Sequence, residues 1–267
     1  MTTEAPASAK RVALVTGASS GIGRAFAALF AADGWTPILV ARSADRLEAV
    51  AEALRGEHGT EAHVVALDLG EPGAAQRLFD EVRGRGLEVE VLVNNAGFAT
   101  FGKFAETDFA KETEEINLNV LTLMQLSKLF VQPMIARGSG RICNVASTAA
   151  FQPGPMMAVY CATKAYVLSF SEAISNELQG TGVTVTCFCP GATESGFQER
   201  ASMQESALVK NRKMPDAVTV AAAGYAAMMA GKRLEIPGAL NRIGSAMPRF
   251  IPRGVILNVA RKLLDRN

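Results

Sequence analysis

Six short runs rich in β-branched and other apolar residues, separated by longer segments of helical periodicity, constrain the fold of this chain most. The runs are RVALVT, TPILVAR, AHVVALD, EVEVLVN, GRICNVAS and GVTVTCFC. Runs that stay apolar on successive residues suit strands covered on both faces, as in a parallel sheet. The repeated alternation of strand and helix therefore predicts an α/β fold, a doubly wound parallel sheet flanked by helices.

The chain of 267 residues is predicted to form one domain, because a single domain with a buried core can reach this length. We expect residues 1–9 to be disordered and residues 10–231 to form the folded domain. Residues 232–267 are set apart as an extension, because they carry several prolines and an excess of Lys and Arg and end in the amphipathic VILNVARKLLDRN. This extension is predicted to pack on its own domain, or to form a subunit contact or a membrane-surface contact.

Charge and composition exclude several classes of function. The net charge of +1 argues against a nucleic-acid-binding protein. The N-terminal residues show no signal peptide, and the longest small-apolar run, residues 217–231, is too short to span a bilayer, so a cytoplasmic protein without stable membrane insertion is expected. The four cysteines form no CxxC pair, and the two histidines have no partner array, so no metal site is predicted.

A glycine-rich loop follows the first run directly. The sequence TGASSGIG at residues 16–23 lies between a predicted strand and a predicted helix. Such a loop lets the backbone approach a pyrophosphate, and the N-terminus of the helix presents free N–H groups to the anion. We therefore predict nucleotide binding by the residues of this loop, namely Gly17, Ser19, Ser20, Gly21, Ile22 and Gly23.

The end of the second run bears on the choice of cofactor. A site for NAD usually offers an acidic residue there, whereas this run ends with Ala41 and Arg42. A guanidinium can bind a 2′-phosphate that a carboxylate would repel, so NADP(H) is predicted in preference to NAD(H); the alternative is that Arg42 is a solvated charge at a strand end. Further cofactor contacts are predicted at the ends of the third and fourth runs, at Asp68, Leu69, Asn95, Ala96 and Gly97.

Tyr160 and Lys164 are four residues apart, a spacing that puts both on one face of a helix. Ser147 ends the fifth run. At the carboxyl end of a strand it would face the crevice in which open α/β sheets bind their ligands. Asn119 lies within the helical segment EEINLNVLTLMQL, where asparagine is unfavourable, which indicates a kink or a water-binding task.

These motifs together resemble the short-chain dehydrogenase/reductase family. TGASSGIG, NNAG, Asn119, Ser147, YCATK and PGATES have its order and approximate spacing across about residues 10–231. The resemblance implies a Rossmann-like sheet of about seven strands, a nicotinamide cofactor and a homotetramer or homodimer. It also implies a catalytic tetrad of Asn119, Ser147, Tyr160 and Lys164, and cofactor contacts from Tyr160, Lys164, Pro190, Gly191, Thr193 and Ser195. Ser195 stands where the family commonly has threonine.

The resemblance and the residue types predict an oxidoreductase that interconverts a carbonyl compound and an alcohol. Tyr160 would act as acid or base, with its pKa lowered by Lys164 and by the oxidised nicotinamide. Ser147 would donate to the carbonyl oxygen, and Asn119 would hold a water that connects Lys164 to solvent.

The substrate is predicted to be of medium size and apolar, because the expected pocket walls are apolar. These walls are residues 98–101, residues 151–157, Phe197 and Met203. Two alternatives stay open: a 3-ketoacyl reductase that acts on carrier or CoA thioesters, with Lys210, Arg212 and Lys213 as a weak basic dock, and a non-catalytic NADP-sensing regulator. Residues 192–215 are predicted to form a lid over the site.

Overall fold

The structure, a computed structural model, describes residues 11–196 and 214–264, with side chains up to Lys262. It contains one seven-stranded sheet with the order β3-β2-β1-β4-β5-β6-β7, in which all paired neighbours run parallel. The strands are β1 Val12–Thr16, β2 Thr36–Ala41, β3 His63–Ala66, β4 Val89–Asn94, β5 Gly140–Val145, β6 Val183–Phe188 and β7 Leu234–Glu235. The predicted Rossmann-like, doubly wound sheet is confirmed.

Helices cover both faces of the sheet. Those in the described ranges are α1 Gly21–Ala32, α2 Ala44–His58, α3 Ala74–Gly84, α4 Phe109–Ile116, α5 Leu123–Arg137, α6 Ala158–Glu177, α7 Ala217–Met229, α8 Ala239–Ala246 and α9 Arg253–Leu264. A π-helical segment, Asn117–Thr122, joins α4 to α5. None of these helices is both long and apolar enough to cross a bilayer.

The core is divided into two layers by the sheet. Along β1, Ala13 and Val15 point into a cluster with α1, α2 and α7, while Val12 and Leu14 point into one with α3 and α5. Successive side chains of a strand face opposite sides, so a strand that is covered on both faces is apolar at most of its positions. This is the physical reason that the predicted runs become β1–β6.

The chain order reverses between β1 and β4, which are neighbours in the sheet. In open α/β sheets, ligands bind outside the carboxyl ends of the strands at such a switch point. The glycine loop follows β1 and the NNAG motif follows β4, so both motifs lie at this edge of the sheet.

Residues 232–267, which the sequence sets apart, contribute β7 to the sheet and then form α8 and α9. The predicted disordered residues 1–9 lie outside the described residues. So does most of the predicted lid, including Phe197, Met203, Leu208 and the basic residues Lys210, Arg212 and Lys213.

Candidate active site

The glycine loop requires glycine for two different reasons. Gly17 and Gly21 have φ angles of 68° and 55°, in the left-handed region that side chains rarely adopt. At Gly23 the reason is space, since a Cβ there would overlap the carbonyl oxygen of Gly17. The loop is therefore closed against the start of α1, which brings backbone amides to its surface.

The first turn of α1 has the features of an anion site. Ser20 is the N-cap residue of α1, and its side chain makes no capping hydrogen bond. The first N–H groups of a helix have no partner within the helix, and they carry its positive partial charge. An open cap of this kind next to left-handed glycines fits the diphosphate of a nicotinamide dinucleotide.

Thr16, at the end of β1, ties the glycine loop to the NNAG motif, a role that the sequence analysis missed. Its hydroxyl accepts hydrogen bonds from the N–H groups of Asn95 and Ala96, both at 2.9 Å, and donates to the carbonyl of Val93 at 3.2 Å. The Asn95 side chain in turn donates to the carbonyl of Thr16 at 2.8 Å. A buried hydroxyl thereby holds two loops from different strands in one register.

A cavity of about 900 Å³ runs along this edge of the sheet. Nearly all of the predicted site residues line it, namely Gly17, Ser19, Ser20, Gly21, Ile22, Arg42, Asp68, Leu69, Asn95, Ala96, Gly97, Ser147, Tyr160, Lys164, Pro190, Gly191, Thr193 and Ser195. Gly23 and Asn119 are not in its lining: Gly23 lies beneath the glycine loop, and Asn119 lies behind Gly97. The extension also reaches the cavity, through Ala239, Leu240, Asn241 and Ala260.

One end of the cavity is charged. The Arg42 side chain is 64% exposed, and its Nη1 lies 3.5 Å from Oε1 of Glu114 and 3.8 Å from Oδ2 of Asp68. Arg46 and Ser43 line the same end. The other carboxylate oxygen of Asp68 accepts from the N–H of Gly70 at 2.9 Å, which orients the side chain. This end offers two guanidinium groups to a phosphate, but the two carboxylates oppose it.

The other end of the cavity holds the predicted catalytic residues. Ser147 follows β5, and Tyr160 and Lys164 lie on the first two turns of α6, both buried. Nζ of Lys164 donates to the carbonyl of Val145 at 2.8 Å and lies 5.7 Å from the centre of the Tyr160 ring. The end of β5 and one face of α6 thus bring Ser147, Tyr160 and Lys164 together at this end of the cavity.

Asn119 lies in the π-helical segment between α4 and α5. Single π turns inside helices often occur at functional sites, and this one occupies the place where the sequence indicated a kink or a water-binding task. Nδ2 of Asn119 donates to the Phe98 carbonyl at 2.9 Å and to the Thr163 hydroxyl at 3.2 Å, while Oδ1 accepts from the Phe98 N–H at 3.2 Å. Both N–H donors are therefore used.

Gly97 lets Asn119 and Lys164 come close. A Cβ on Gly97 would lie 2.8 Å from Oδ1 of Asn119 and 3.6 Å from Nζ of Lys164. The last glycine of the NNAG motif therefore leaves room for both side chains. A water between Asn119 and Lys164 would have to donate to an oxygen, because the side-chain amide of Asn119 has no N–H left to offer.

The pKa values differ in one respect from the prediction. Burial raises the pKa of Tyr160 well above its usual value of about 10, although a hydrogen bond with Ser147 lowers it in part. The predicted lowering of the Tyr160 pKa by Lys164 is not found in the protein by itself, because desolvation of the phenolate is the largest influence and Lys164 is not among the main ones. The predicted influence of the oxidised nicotinamide stays a prediction. Burial also lowers the pKa of Lys164 to about 8.

Glu115 is an ionisable residue of this region that the sequence analysis missed. Its side chain is 0% exposed, and one carboxylate oxygen accepts from the N–H of Thr100 at 2.8 Å. Burial raises its pKa to about 7, against opposing contributions from Thr100 and from the charge of Lys164. The only signal in the sequence was its position, four residues before Asn119 and thus one helical turn away.

The predicted apolar wall is formed in part. Phe98, Gln152, Gly154 and Met157 line the cavity, and Phe101 packs beneath it with Met157 and Tyr160. Phe151 instead packs against Leu123 and Ala146, away from the cavity lining.

Met156 joins two loops of this wall. It has a left-handed backbone with φ at 69°, and its carbonyl accepts from the N–H of Gly102 at 2.9 Å. For a residue other than glycine this backbone conformation is strained, and such strain is often found at binding sites.

Across residues 11–196 and 214–264, no group of three or more His, Cys, Asp or Glu side chains could hold a metal ion.

Comparison with known proteins agrees with this geometry. The sequence profile of the short chain dehydrogenase family matches residues 11–206. A protein of Streptomyces virginiae, provisionally named the ketoacyl reductase of the monensin polyketide synthase, is 40% identical over 195 residues, which are 72% of this chain and 74% of that protein. The 7beta-hydroxysteroid dehydrogenase of Collinsella aerofaciens is 33% identical over 180 residues, 67% of this chain and 68% of the relative.

Solved structures show the same fold. The short-chain dehydrogenase of Sphingobium yanoikuyae in complex with NADPH superposes with a TM-score of 0.80 at 29% identity, over 91% of this chain and 97% of the other. The family profile covers the strands β1–β6, the glycine loop and the helix that carries Tyr160 and Lys164. The chain therefore belongs to the short-chain dehydrogenase family and is an NAD(P)-dependent oxidoreductase.

Proposed function

We propose that this protein interconverts an apolar ketone or aldehyde and the corresponding alcohol, with NADP(H) as the cofactor and Tyr160 as the acid or base. The observation that carries the proposal is the convergence of Ser147, Tyr160 and Lys164 at one end of a cavity whose other end has an open glycine loop. When bound, the nicotinamide cofactor supplies or accepts the hydride. The chain has to hold the substrate oxygen and move one proton.

Tyr160 is the proton donor for reduction. At neutral pH its phenol is protonated, because burial raises its pKa, and the hydroxyl can donate to a substrate oxygen as negative charge develops there. Ser147 stabilises the same oxygen by a second hydrogen bond. In the reverse direction Tyr160 must first become a phenolate, which requires positive charge from Lys164 and from the oxidised nicotinamide ring. The protonated phenol, which the raised pKa maintains at neutral pH, is the form of Tyr160 that reduction requires.

Lys164 has two functions in this proposal. It is anchored by the carbonyl of Val145, which fixes the direction of its ammonium group. With its pKa lowered to about 8 it stays mostly protonated at neutral pH, yet releases a proton more readily than an exposed lysine. This suits a group that returns a proton to Tyr160 after each turnover. Asn119 clamps the loop after β4 in place behind it.

The preference for NADP(H) is supported by Arg42 and Arg46, the two guanidinium groups at the far end of the cavity. A 2′-phosphate would compete with Glu114 and Asp68 for Arg42. A phosphate monoester carries a charge of about −1.5 to −2 against −1 for a carboxylate, and it can bind a guanidinium through two oxygens, so it is the stronger partner. Asp68 is left to accept a hydrogen bond from an adenine amino group. The NADPH complex of the Sphingobium yanoikuyae relative supports the same choice.

A 3-ketoacyl reductase that acts on thioesters is the second candidate. The observation that favours it is the relative from Streptomyces virginiae, which is named as a ketoacyl reductase. The hydride and proton transfers would be unchanged. Only the wall of the cavity would differ in its task, because it would contact the longer acyl chain of the substrate. A non-catalytic NADP sensor is disfavoured, because this chain has both Tyr160 and Lys164 at the cavity.

Initial rates of NADPH and NADH oxidation test these proposals against a panel of bulky apolar ketones, small aldehydes and 3-oxoacyl thioesters. We expect the highest kcat/KM with NADPH and a bulky apolar ketone. Highest values with the thioesters would transfer the assignment to the second candidate. Cofactor binding without turnover of any panel member would contradict both enzymatic proposals.

We further propose a homotetramer or homodimer in the cytoplasm. The helices that bear the site expose apolar side chains to solvent, namely Phe109, Ile116, Leu121, Ile135 and Tyr166, and closed symmetric assemblies commonly cover such surfaces. The four cysteines are free and buried, which suits a reducing compartment. Light scattering at micromolar protein should give two or four times the mass of the chain, and a monomer mass would contradict the assembly.

A further inference from the structure

Helix α8 is amphipathic with its apolar face turned outward. Asn241 and Ser245 face the protein: the Asn241 side chain meets Gly191, and Ser245 is buried with its hydroxyl unpaired. The opposite face and the 3₁₀ turn that follows α8, Met247–Arg249, carry an apolar stripe, which we define as Leu240, Ile243, Met247 and Phe250. Leu240 is 86% exposed, Phe250 84% and Ile243 59%. Large exposed apolar patches mark interaction sites, and here the polar side of a helix is the one that packs.

Helix α9, which follows the stripe in the chain, also exposes apolar side chains. Ile256 and Ala260 of this helix are buried, while Val255, Leu257 and Val259 on its flanks are exposed. Half of the exposed large apolar side chains in the described part of the chain lie between residues 240 and 259. Leu240 and Ile243 lie on α8, Met247 begins the 3₁₀ turn that follows, and Phe250 comes directly after that turn, so the exposed apolar side chains of the stripe all lie within residues 240–250.

The segment that carries the stripe has an excess of positive charge. Residues 232–267 contain eight Lys or Arg and two Asp or Glu, a net charge of +6, whereas the whole chain has +1 and the other 231 residues therefore carry −5. Arg249, Arg253, Arg261 and Lys262 are exposed, and they form no ion pair with the side chains that the structure describes. Positive charge is concentrated on one small part of the surface.

We propose that α8 and α9 dock this protein onto an anionic lipid surface. An amphipathic helix that lies in a membrane interface has this composition, with Phe, Leu and Ile on one side and arginines around them. A second copy of the chain is a poorer partner, because a two-fold contact would bring the same cationic patch of both subunits together. An acidic protein would pair with the arginines, but it would not account for the exposed apolar side chains of the stripe.

Docking in this position would place the mouth of the cavity at the bilayer. Ala239, Leu240 and Asn241 line the cavity, and the stripe begins at Leu240. The negatively charged remainder of the molecule would be repelled by the same lipids, which orients the protein. If the proposed function is right, an apolar ketone could pass from the bilayer into the site; this consequence rests on that function, whereas the docking itself does not.

Vesicle flotation with the full chain tests the docking. We expect binding to vesicles of phosphatidylcholine and phosphatidylglycerol, but at least about tenfold weaker binding to phosphatidylcholine alone, and loss of binding at high salt. A triple variant, Ile243→Ser, Met247→Ser and Phe250→Ser, and a double variant, Arg249→Gln and Arg253→Gln, should each reduce binding by about tenfold or more. Circular dichroism and light scattering check that both variants stay folded and keep their mass.

Matched changes elsewhere provide the controls. Phe104→Ser with Val218→Ser removes exposed apolar side chains outside the stripe, and Arg24→Gln with Arg55→Gln removes exposed charges. Equal losses in test and control variants would overturn the proposal, as would wild-type protein that binds neither vesicle. A triple variant of smaller oligomeric mass with no change in flotation would identify the stripe as a subunit interface, and would also overturn it.

Discussion

The two ends of the cavity are built on different physical principles. At the nucleotide end, one contiguous segment forms the site with backbone amides and glycines, and the charged side chain that completes it, Arg42, is largely exposed. At the catalytic end, four separate segments meet: the loop after β4, the loop after β5, the junction of α4 and α5, and helix α6. Tyr160, Lys164, Asn119 and Glu115 are all buried there. The nucleotide end should therefore be sensitive to an added methyl group, and the catalytic end to a change of charge or proton.

The largest effect is expected at the catalytic end. Tyr160→Phe should lower kcat by about a thousandfold, because only the proton-transfer group is lost. NADPH affinity, measured by fluorescence titration, should change little. Tyr166→Phe is the control, because Tyr166 lies on the same helix, is half-exposed and stacks on Phe170. A Tyr160→Phe variant that kept about a tenth of wild-type turnover would contradict the acid–base role, and loss of cofactor binding would show that the two ends are not independent.

At the nucleotide end, Gly23→Ala should weaken NADPH binding by about a hundredfold. The new Cβ would overlap the Gly17 carbonyl oxygen and lie 2.5 Å from the Asn95 amide, and overpacking against backbone costs about 3 kcal/mol. Gly56→Ala on α2 adds the same atom where nothing lies within 4 Å, so binding should be unchanged. Unimpaired binding by the Gly23→Ala variant, measured by the same titration, would mean that the loop can shift without loss.

Glu115 makes stability depend on pH. The carboxyl has a pKa of about 7 in the folded protein, so it keeps its proton up to that pH, but loses it near 4.5 when unfolded. Between these values the unfolded state binds fewer protons, so the free energy of unfolding should fall as pH rises, by roughly 2–3 kcal/mol. Glu115→Gln should remove this fall in denaturant titrations at about pH 5 and about pH 8. Glu52→Gln, an exposed position on α2, should leave it in place, and a fall that persists in the Glu115→Gln variant would assign it to another group.

The smallest effect is expected for Arg42. Removing a charge-assisted contact costs about 1.5–3 kcal/mol, so Arg42→Ala should weaken NADPH about tenfold and leave NADH nearly unchanged. The lower limit applies because, in the wild type, Glu114 and Asp68 compete with the phosphate for Arg42. Fluorescence titration measures the affinity of the Arg42→Ala variant for NADPH and for NADH, with Arg55→Ala as the control variant. Equal losses for NADPH and NADH would give Arg42 a structural role only.

Much of the fold could be predicted because its signals are local. The runs that became β1–β6 are rich in β-branched and other apolar residues, often on successive positions, as a strand covered on both faces requires. The glycine loop is contiguous, so its three glycines could be assigned before any packing was known. β7 could not be predicted, since Leu234 and Glu235 are too few to show a period.

The catalytic end could be predicted in part, by the resemblance of its motifs and not by physical derivation. The i, i+4 spacing put Tyr160 and Lys164 on one helix face, and their depth of burial was not visible. That depth reversed the predicted direction of the Tyr160 pKa. The roles of Thr16 and Glu115 also depend on long-range contacts, with Ala96 and Thr100, that no pattern in the chain reveals.

The order of strands and helices, the glycine loop and the helical pairing of Tyr160 with Lys164 follow from the sequence alone, because each depends on neighbours in the chain and on backbone sterics. The tertiary structure decided which side of α8 faces solvent, how far Tyr160, Lys164 and Glu115 are removed from water, and which carboxylates stand beside Arg42. Burial and electrostatics depend on residues that are far apart in the chain, and no local sequence pattern predicts how close those residues lie in the folded protein.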